Sequence, residues 1–133
     1  MREILFRGKR KDNGEWIEGY LFKTWDKTYI LWGTTNDIPN MIEVIPETVG
    51  QYAGLIDKNG KKIFDGDIVI DKYSKEKFGF VGIVIYNPTL TQFQIYSDKQ
   101  PDYIVNLGSR RDSLKVIGNI HDNPELLKGG VDE

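Results

Sequence analysis

Two aspartates that flank one glycine, Asp65-Gly66-Asp67, are the residues whose types and spacing most resemble a chemical site. Paired carboxylates can bind a divalent cation or exchange a proton with a substrate. The same residues are typical of a tight turn, because glycine adopts a positive φ and aspartate accepts hydrogen bonds from nearby backbone N–H groups. No further ligand is evident nearby. We therefore expect a turn with a structural carboxylate at Asp67, without metal or cofactor, and a hydrolase that uses Asp65 or Asp67 is the alternative.

Other common kinds of active site lack their essential residues. The chain has no cysteine and one histidine, His121, so thiolate chemistry and a histidine metal cluster are excluded. A capping or surface role is the simpler interpretation of His121. The segment that begins at Asp57 resembles a calcium-binding loop, but Lys62 and Ile68 stand where glycine and glutamate are required. No glycine-rich phosphate motif precedes a helix. We therefore expect that the protein is not an enzyme.

Composition indicates an ordinary globular protein. The chain has 133 residues, of which 39% are hydrophobic and 29% are charged. It contains no apolar run long enough to span a membrane, and its first residues do not form a secretory signal. Because no disulfide can form, an intracellular, cytoplasmic protein is the simplest interpretation.

The charge balance gives little support to nucleic-acid binding. Residues 1–52 carry 7 Lys and Arg against 8 Asp and Glu, and residues 53–133 carry 11 against 12. Nucleic-acid-binding proteins concentrate positive charge on one face. The basic clusters here are short: Arg7, Lys9, Arg10 and Lys11; Lys75–Lys77; and Arg110–Arg111. Basic residues that flank turns explain these clusters most simply, and a phosphate-binding patch is the alternative.

Short runs of β-branched and aromatic residues between turn signals predict an all-β fold. We expect an N-terminal antiparallel meander with strands at Glu3–Lys9, Glu15–Phe22, Thr28–Trp32 and Ile42–Ile45. Residues 46–54 should form a connector with at most one helical turn, which divides the chain into 1–52 and 53–133. The second part should contain the hairpin strands Leu55–Ile56 and Ile63–Phe64, followed by Ile68–Tyr73, Phe80–Asn87, Gln92–Ser97, Tyr103–Leu107 and Leu114–Ile120.

Five strands at the spacing found after residue 67 predict a small closed or nearly closed barrel. A short C-terminal helix should follow, with Asn123 as its N-cap and Pro124 at its first position. Leu126 and Leu127 would then anchor this helix on the barrel.

A group of aromatic residues in the N-terminal part is the main candidate for a binding surface. Its members are Trp16, Tyr20, Trp25, Tyr29 and Trp32. They could form a small core, or they could stack nucleic-acid bases or contact a protein partner. A core of large side chains is the simpler interpretation, although a thin meander can hardly hide all five rings.

Three segments resemble the YopX family of small phage and prophage proteins. They are REILFRGKRKDNGEWIEGYL at 2–21, VIPETVGQYAGLIDKNGKKIFDGDIV at 44–69 and VIGNIHDNPELL at 116–127. The resemblance implies a phage or prophage gene and an all-β fold whose C-terminal part is an SH3-like barrel. With the strand pattern, it predicts an N-terminal meander packed on this barrel. It implies no catalytic residues and no activity.

These observations favour a non-catalytic protein-interaction module whose partner is a host or phage protein. Self-association is one form that such binding could take. The possible contact residues are the five aromatic residues above and the basic residues Arg7, Lys9, Arg10 and Lys11. A nucleic-acid-associated accessory protein is the alternative, and no membrane partner is expected.

Overall fold

The computed structural model of the protein describes residues 3–71, 80–97, 105–110 and 113–129. Its strands form two antiparallel sheets, and its one α-helix among the described residues is a short C-terminal turn. The predicted all-β class is therefore confirmed. The chain divides into two compact units, Met1–Tyr52 and Ala53–Glu133.

The N-terminal unit is built around a central strand, β1, that pairs on both sides. Its elements are β1 Phe6–Lys9, β2 Trp16–Lys23, β3 Thr28–Thr35, β4 Ile38–Glu43, the 3-10 turn Pro46–Thr48 and the first part of β5 Gly50–Ile56. The strands lie in the order β4-β3-β2-β1-β5. Phe6 of β1 lies opposite Gly19 of β2 on one side and Gln51 of β5 on the other. The predicted meander is present, and β5 extends it beyond β1.

The connection between β3 and β4 differs from the prediction. We expected a polar loop that delays the fourth strand until Ile42, whereas β4 begins at Ile38. Asn36 and Asp37 have φ angles of 51° and 67° and form a two-residue hairpin turn. Pro39 lies within β4, which a strand at the edge of a sheet tolerates because its outer side needs no N–H donor.

The predicted connector at residues 46–54 is also mostly strand. Only Pro46–Thr48 forms the expected helical turn, and β5 begins immediately afterwards at Gly50. Gly54 lies inside this strand with a φ of 88°. Gly50 and Gly54 are therefore strand residues, and the division after Tyr52 falls within β5.

The C-terminal unit begins with the rest of β5, which pairs with β6, and continues into a five-stranded sheet. Its further elements are β6 Lys62–Phe64, β7 Asp67–Asp71, β8 Phe80–Asn87, β9 Gln92–Tyr96, β10 Val105–Asn106, the 3-10 turn Leu107–Arg110, β11 Leu114–Asn119 and α1 Glu125–Gly129. The order β10-β9-β8-β7-β11 is open, and no strand pairing closes it into a barrel among the described residues. The parts of two predicted strands at 72–73 and 103–104 lie outside those residues.

The core of the C-terminal unit consists of aliphatic side chains. Its buried members are Ile63, Val69, Val84, Ile95, Leu107, Leu114 and Val116, against which Ala53, Leu55 and Phe93 pack. Buried and more exposed residues alternate along β8 at positions 81–85, as expected for a strand with one face on a core, whereas β7 is buried at four of its five positions.

The segment between β11 and α1 is organised by Asn119. Its side-chain oxygen accepts hydrogen bonds from the N–H groups of His121 and Asp122, at 3.0 and 2.9 Å. The side-chain oxygen of Asn123, predicted to cap the helix, instead accepts a hydrogen bond from the N–H of Asn119 at 3.3 Å. Leu126 and Leu127 are half-buried on α1. No helix in the described part of the chain has the length and apolar composition needed to cross a membrane.

Candidate functional site

The structure forms a turn at the two aspartates that flank Gly66. Asp65 and Gly66 connect β6 to β7, and Asp67 is the first residue of β7. Asp67 is only 1% exposed, and its Oδ2 accepts a hydrogen bond from the N–H of Phe64 at 2.7 Å. This carboxylate therefore closes the turn from inside the protein. The described residues contain no group of three or more His, Cys, Asp or Glu that could hold a metal ion.

Replacement of Gly66 by valine should destabilise the C-terminal unit by about 1–3 kcal/mol, because a side chain is strained at its φ of 92°. The backbone cannot easily relax, since the N–H of Gly66 donates to Val84 O at 2.8 Å and its carbonyl accepts from the N–H of Ile120 at 3.0 Å. Denaturant unfolding followed by circular dichroism measures the loss. Gly66→Asn is the matched control and should lose less, because asparagine tolerates positive φ better. Equal stability of wild type and Gly66→Val would contradict this assignment.

A second buried carboxylate, Asp57, has a role that the sequence did not reveal. Asp57 is 4% exposed, and its Oδ1 accepts hydrogen bonds from the N–H groups of Asn59 and Lys61, each at 2.9 Å. Its Oδ2 accepts from the N–H of Val116 in β11, also at 2.9 Å. Burial opposes ionisation, but these three backbone donors outweigh it and lower the pKa of Asp57. Asp57 therefore joins a hairpin turn to the distant strand β11.

The basic cluster near β1 is largely engaged with neighbouring groups. The Arg10 guanidinium contacts the Asp12 carboxylate through two hydrogen bonds, at 2.9 and 3.0 Å, and this hydrogen bonding lowers the pKa of Asp12. The Lys11 ammonium lies 3.2 Å from the Glu43 carboxylate. Both cations thus have an acidic partner within the same unit. The other two basic clusters lie outside the residues whose side chains are described.

The remaining two cations of this cluster surround Trp16. The Arg7 guanidinium lies 4.7 Å from the centre of the Trp16 ring, and the Lys9 ammonium lies 5.6 Å from it. Arg7 is buried, at 8% exposure, and Trp16 is half-buried. A cation over an aromatic face is attracted by the ring quadrupole. These residues therefore stabilise one another on β1 and β2.

The five predicted aromatic residues do not form a core. The fully buried hydrophobic residues of the N-terminal unit are Ile30 and Val44, both at 0% exposure. In contrast, Tyr20 is 67% exposed, Trp32 is 44% exposed and Trp25 is fully exposed at the β2–β3 turn. The expectation of an aromatic core is therefore wrong. Small aliphatic side chains fill the space next to Gly8, where a Cβ atom would lie 3.1 Å from Val44.

Strand register brings apolar side chains together on the opposite side of this sheet. Tyr20 of β2 lies opposite Leu31 of β3, which lies opposite Met41 of β4. Phe22 likewise lies opposite Tyr29, and their rings are 6.2 Å apart between centroids. Directly opposed residues in an antiparallel pair point to the same side of the sheet. We call this set the aromatic face; it consists of Tyr20, Phe22, Tyr29, Leu31 and Met41.

The aromatic face is exposed although its side chains are apolar. Phe22 is 46% exposed and Met41 is 50% exposed, while Tyr29 and Leu31 are half-buried among their neighbours. The other side of the same strands contains Leu21 and Ile30, which are opposed in register, and holds the core. A sheet with one solvated side normally carries polar residues there. A contiguous apolar patch in this position is typical of an interaction surface.

Sequence reasoning identified only part of this surface. Tyr20 and Tyr29 belong to it, and Trp16 lies on the same side of β2 as Tyr20 but contacts Arg7 and Lys9, whereas Trp25 and Trp32 lie outside its register. The missed members are Phe22, Leu31 and Met41. Alternation along β2 already placed Phe22 on the side of Tyr20, and the turn at residues 24–27 would have placed Leu31 opposite Tyr20. Met41 could not be found because the β3–β4 turn was misplaced.

Two antiparallel sheets and an exposed set of aromatic side chains define an all-β protein with an aromatic surface. The family described as YopX protein matches residues 5–128, and the chain belongs to this family. A solved structure, protein EF1440 from Enterococcus faecalis, is similar with a TM-score of 0.57 and 23% sequence identity, over 96% of this chain and 99% of that chain. This likeness shows the fold alone. A search of curated proteins gave no match.

Proposed function

We propose that the protein is a non-catalytic protein-interaction module and that the aromatic face is its contact surface. The observation that carries this proposal is the register of β2, β3 and β4, which aligns five apolar side chains on the exposed side of one sheet. Aromatic residues and methionine are enriched in the centres of protein interfaces. The residues are held by paired strands, so little backbone freedom is lost when a partner binds.

The exposed side chains of the aromatic face can contribute binding energy to a protein contact. Complete burial of one large apolar side chain contributes roughly 1.5–3 kcal/mol. Association and side-chain ordering offset much of this gain. Three substantially exposed residues, Tyr20, Phe22 and Met41, can therefore support a moderate affinity when the partner covers all of them together. Met41 can also adapt its shape to different partner surfaces.

Nucleic-acid binding is the alternative, and the ion pairs within the basic cluster support it less than protein binding. Aromatic residues on a sheet can stack bases, but affinity for nucleic acid depends on cations that neutralise phosphates. Arg10 and Lys11 are paired with Asp12 and Glu43. Glu43 also lies opposite Tyr29 in register, on the side of the aromatic face. Because this carboxylate pairs with Lys11, the pair offers phosphates no unopposed positive charge on this face.

The biological setting is part of the same proposal. Similarity to phage and prophage proteins supports a phage or prophage gene that acts in the cytoplasm of a bacterial host, on a host or phage protein. Pairing of β7 with both β8 and β11, together with the β8-β9-β10 meander, supports an SH3-like arrangement for the C-terminal unit. Self-association through the aromatic face is the case in which the partner is a second copy.

Substitution of Tyr20 and Met41 by serine should reduce capture of the natural partner at least tenfold, because both exposed side chains would be lost from the contact. Tagged wild-type and variant proteins are compared by quantitative mass spectrometry after affinity purification from induced host cells. Both positions are exposed, so we expect little change in melting temperature.

Leu90→Ser is the matched control for this purification. Leu90 is 55% exposed but lies in the turn between β8 and β9 of the C-terminal unit. Capture should be unchanged in this variant and should survive nuclease treatment. Capture that is lost only after nuclease treatment would favour the nucleic-acid alternative. Equal capture by wild type and the Tyr20, Met41 variant would refute the aromatic face as the contact surface.

A further inference from the structure

The turn between β2 and β3 presents a large apolar side chain entirely to solvent. Trp25 is 106% exposed, which is as much as in an extended chain. It lies between Lys23, the last residue of β2, and Thr28, the first residue of β3. Trp25 therefore has no paired residue in the β2–β3 register and does not belong to the aromatic face, although it directly follows the strand that carries Tyr20 and Phe22. No packing within the unit accounts for a tryptophan at this position.

The turn that carries Trp25 is closed by several hydrogen bonds. The N–H of Thr24 donates to the carbonyl of Lys27 at 2.9 Å, and the N–H of Lys27 donates to Thr24 Oγ1 at 3.1 Å. Thr24 Oγ1 lies 3.4 Å from Asp26 Oδ1, to which it donates. The backbone beneath Trp25 is thus fixed before any partner binds. A side chain displayed in this way loses little backbone entropy on binding.

Two lysines flank the exposed ring. Lys23 and Lys27 are both exposed, and neither forms an ion pair within the described part of the chain. Lys23, Thr24 and Trp25 line an open hollow of about 460 Å³. The single carboxylate of the turn, Asp26, accepts the hydrogen bond from Thr24. The turn therefore presents an exposed indole between two lysines in the sequence, with two positive charges against the one negative charge of Asp26.

This arrangement favours an acidic peptide over an extended polyanion. A peptide can place one apolar side chain against the indole and one carboxylate beside each lysine. A nucleic-acid strand or an anionic lipid surface would cover a wider area. On the adjoining strands Glu18 lies opposite Arg7 and Glu43 pairs with Lys11, so this wider area offers a polyanion no excess of positive charge.

We propose that Trp25 anchors the partner by inserting between apolar side chains of an acidic peptide segment, whose carboxylates lie against Lys23 and Lys27. This inference rests on the proposed protein-interaction function and names the chemistry of the partner. The aromatic face supplies the broader contact next to the anchor. Tryptophan and charged residues at such positions often dominate the binding energy of an interface.

Selection from a random short-peptide library tests this proposal with the purified full-length protein. Enriched sequences should combine Asp or Glu with aromatic or aliphatic residues. A synthetic peptide of the enriched sequence should bind at least tenfold more weakly to Trp25→Ala. Charge reversal of Lys23 and Lys27 to glutamate should also weaken binding and abolish its dependence on salt. These positions are exposed, so the variants should retain the melting temperature of the wild type.

Fluorescence identifies the ring that is covered. The difference between the spectra of wild type and Trp25→Ala isolates the emission of Trp25, and this emission should shift to the blue when the peptide binds. The same shift should be absent when the peptide is added to Trp25→Ala. A peptide whose affinity is equal for both proteins would overturn the anchor. If Tyr20→Ser nevertheless weakens binding of that peptide, the aromatic face would still be a contact surface, without Trp25 as its anchor.

Two further probes distinguish the other anionic partners. Phosphatidylglycerol vesicles and a single-stranded oligothymidylate are titrated into wild type and Trp25→Ala at physiological salt. Neither should bind measurably to the wild type. Binding of either probe that is lost in Trp25→Ala would overturn the peptide as the partner of Trp25. Failure to enrich any peptide would also overturn this proposal. The proposed function itself would be overturned by a different result, which is unchanged capture of the natural partner by the Tyr20, Met41 variant.

Discussion

Replacement of Gly19 by alanine is expected to destabilise the N-terminal unit by about 3 kcal/mol or more. This loss lies at the upper end of the range for extra atoms in a packed core. Gly19 is buried in β2, opposite Phe6 of β1. A Cβ atom at this position would overlap the carbonyl oxygen of Leu31 and would lie 2.8 Å from Ile30 Cγ2. The overlapping oxygen belongs to the backbone, so a change of rotamer cannot relieve the contact.

Tryptophan fluorescence reports on this unit alone, because Trp16, Trp25 and Trp32 all lie within residues 1–52. Denaturant unfolding followed at this signal should show the loss in Gly19→Ala. Gly8→Ala is the graded control, since its Cβ would meet only the Val44 side chain at 3.1 Å, and that side chain can move. We expect a smaller loss there. A Gly19→Ala protein as stable as the wild type would contradict the close approach of β2 and β3.

Replacement of Asp57 by alanine is expected to destabilise the C-terminal unit by about 2–4 kcal/mol. Three backbone N–H groups, those of Asn59, Lys61 and Val116, would lose their acceptor. The N–H of Val116 would be left buried without a partner, which costs roughly 1–3 kcal/mol, and the part-buried N–H groups of Asn59 and Lys61 would add a smaller loss. Asp57→Asn should lose less, because the amide oxygen can still accept from the turn while its NH₂ group cannot accept from Val116. Circular dichroism during denaturant unfolding measures both losses of stability. An Asp57→Asn variant as stable as the wild type would contradict this role of Asp57.

The contribution of Asp57 should depend on pH in a defined direction. The pKa of Asp57 is lowered in the folded protein, so ionisation stabilises the fold. This stabilisation is fully present above the ordinary pKa of an aspartate, and it is lost as the pH falls through the lowered folded-state pKa. The difference in unfolding free energy between wild type and Asp57→Ala should therefore be constant near neutral pH and shrink below about pH 4. A difference that stays constant down to about pH 2 would show that the charge of Asp57 contributes nothing.

Local turn chemistry made much of the fold predictable. Asn13-Gly14 and Asn59-Gly60 signal hairpins because glycine supplies a positive φ, and the structure has φ angles of 75° at Gly14 and 83° at Gly60. Asn36-Asp37 uses the same geometry without glycine, and nearby Pro39 indicated a loop. The sequence could not show that β4 lies at a sheet edge, where proline is tolerated.

The candidate site was less predictable because side-chain alternation does not tell which side of a sheet is buried. Aromatic rings bury more surface than the side chains of Ile30 and Val44, so a core of rings was the simpler expectation. The close approach at Gly8 and Gly19 leaves room only for small aliphatic side chains on the buried side. The pairing of Lys11 with Glu43, 32 positions away in the chain, likewise depends on the fold.

The most direct test of the central claim is an NMR titration of isotopically labelled protein with the purified partner captured from host cells. The aromatic face predicts that the largest chemical-shift changes occur at Tyr20, Phe22, Leu31 and Met41, and that they disappear in the Tyr20, Met41 serine variant. Changes confined to the C-terminal unit, for example around Leu90 in the turn between β8 and β9, would contradict the account.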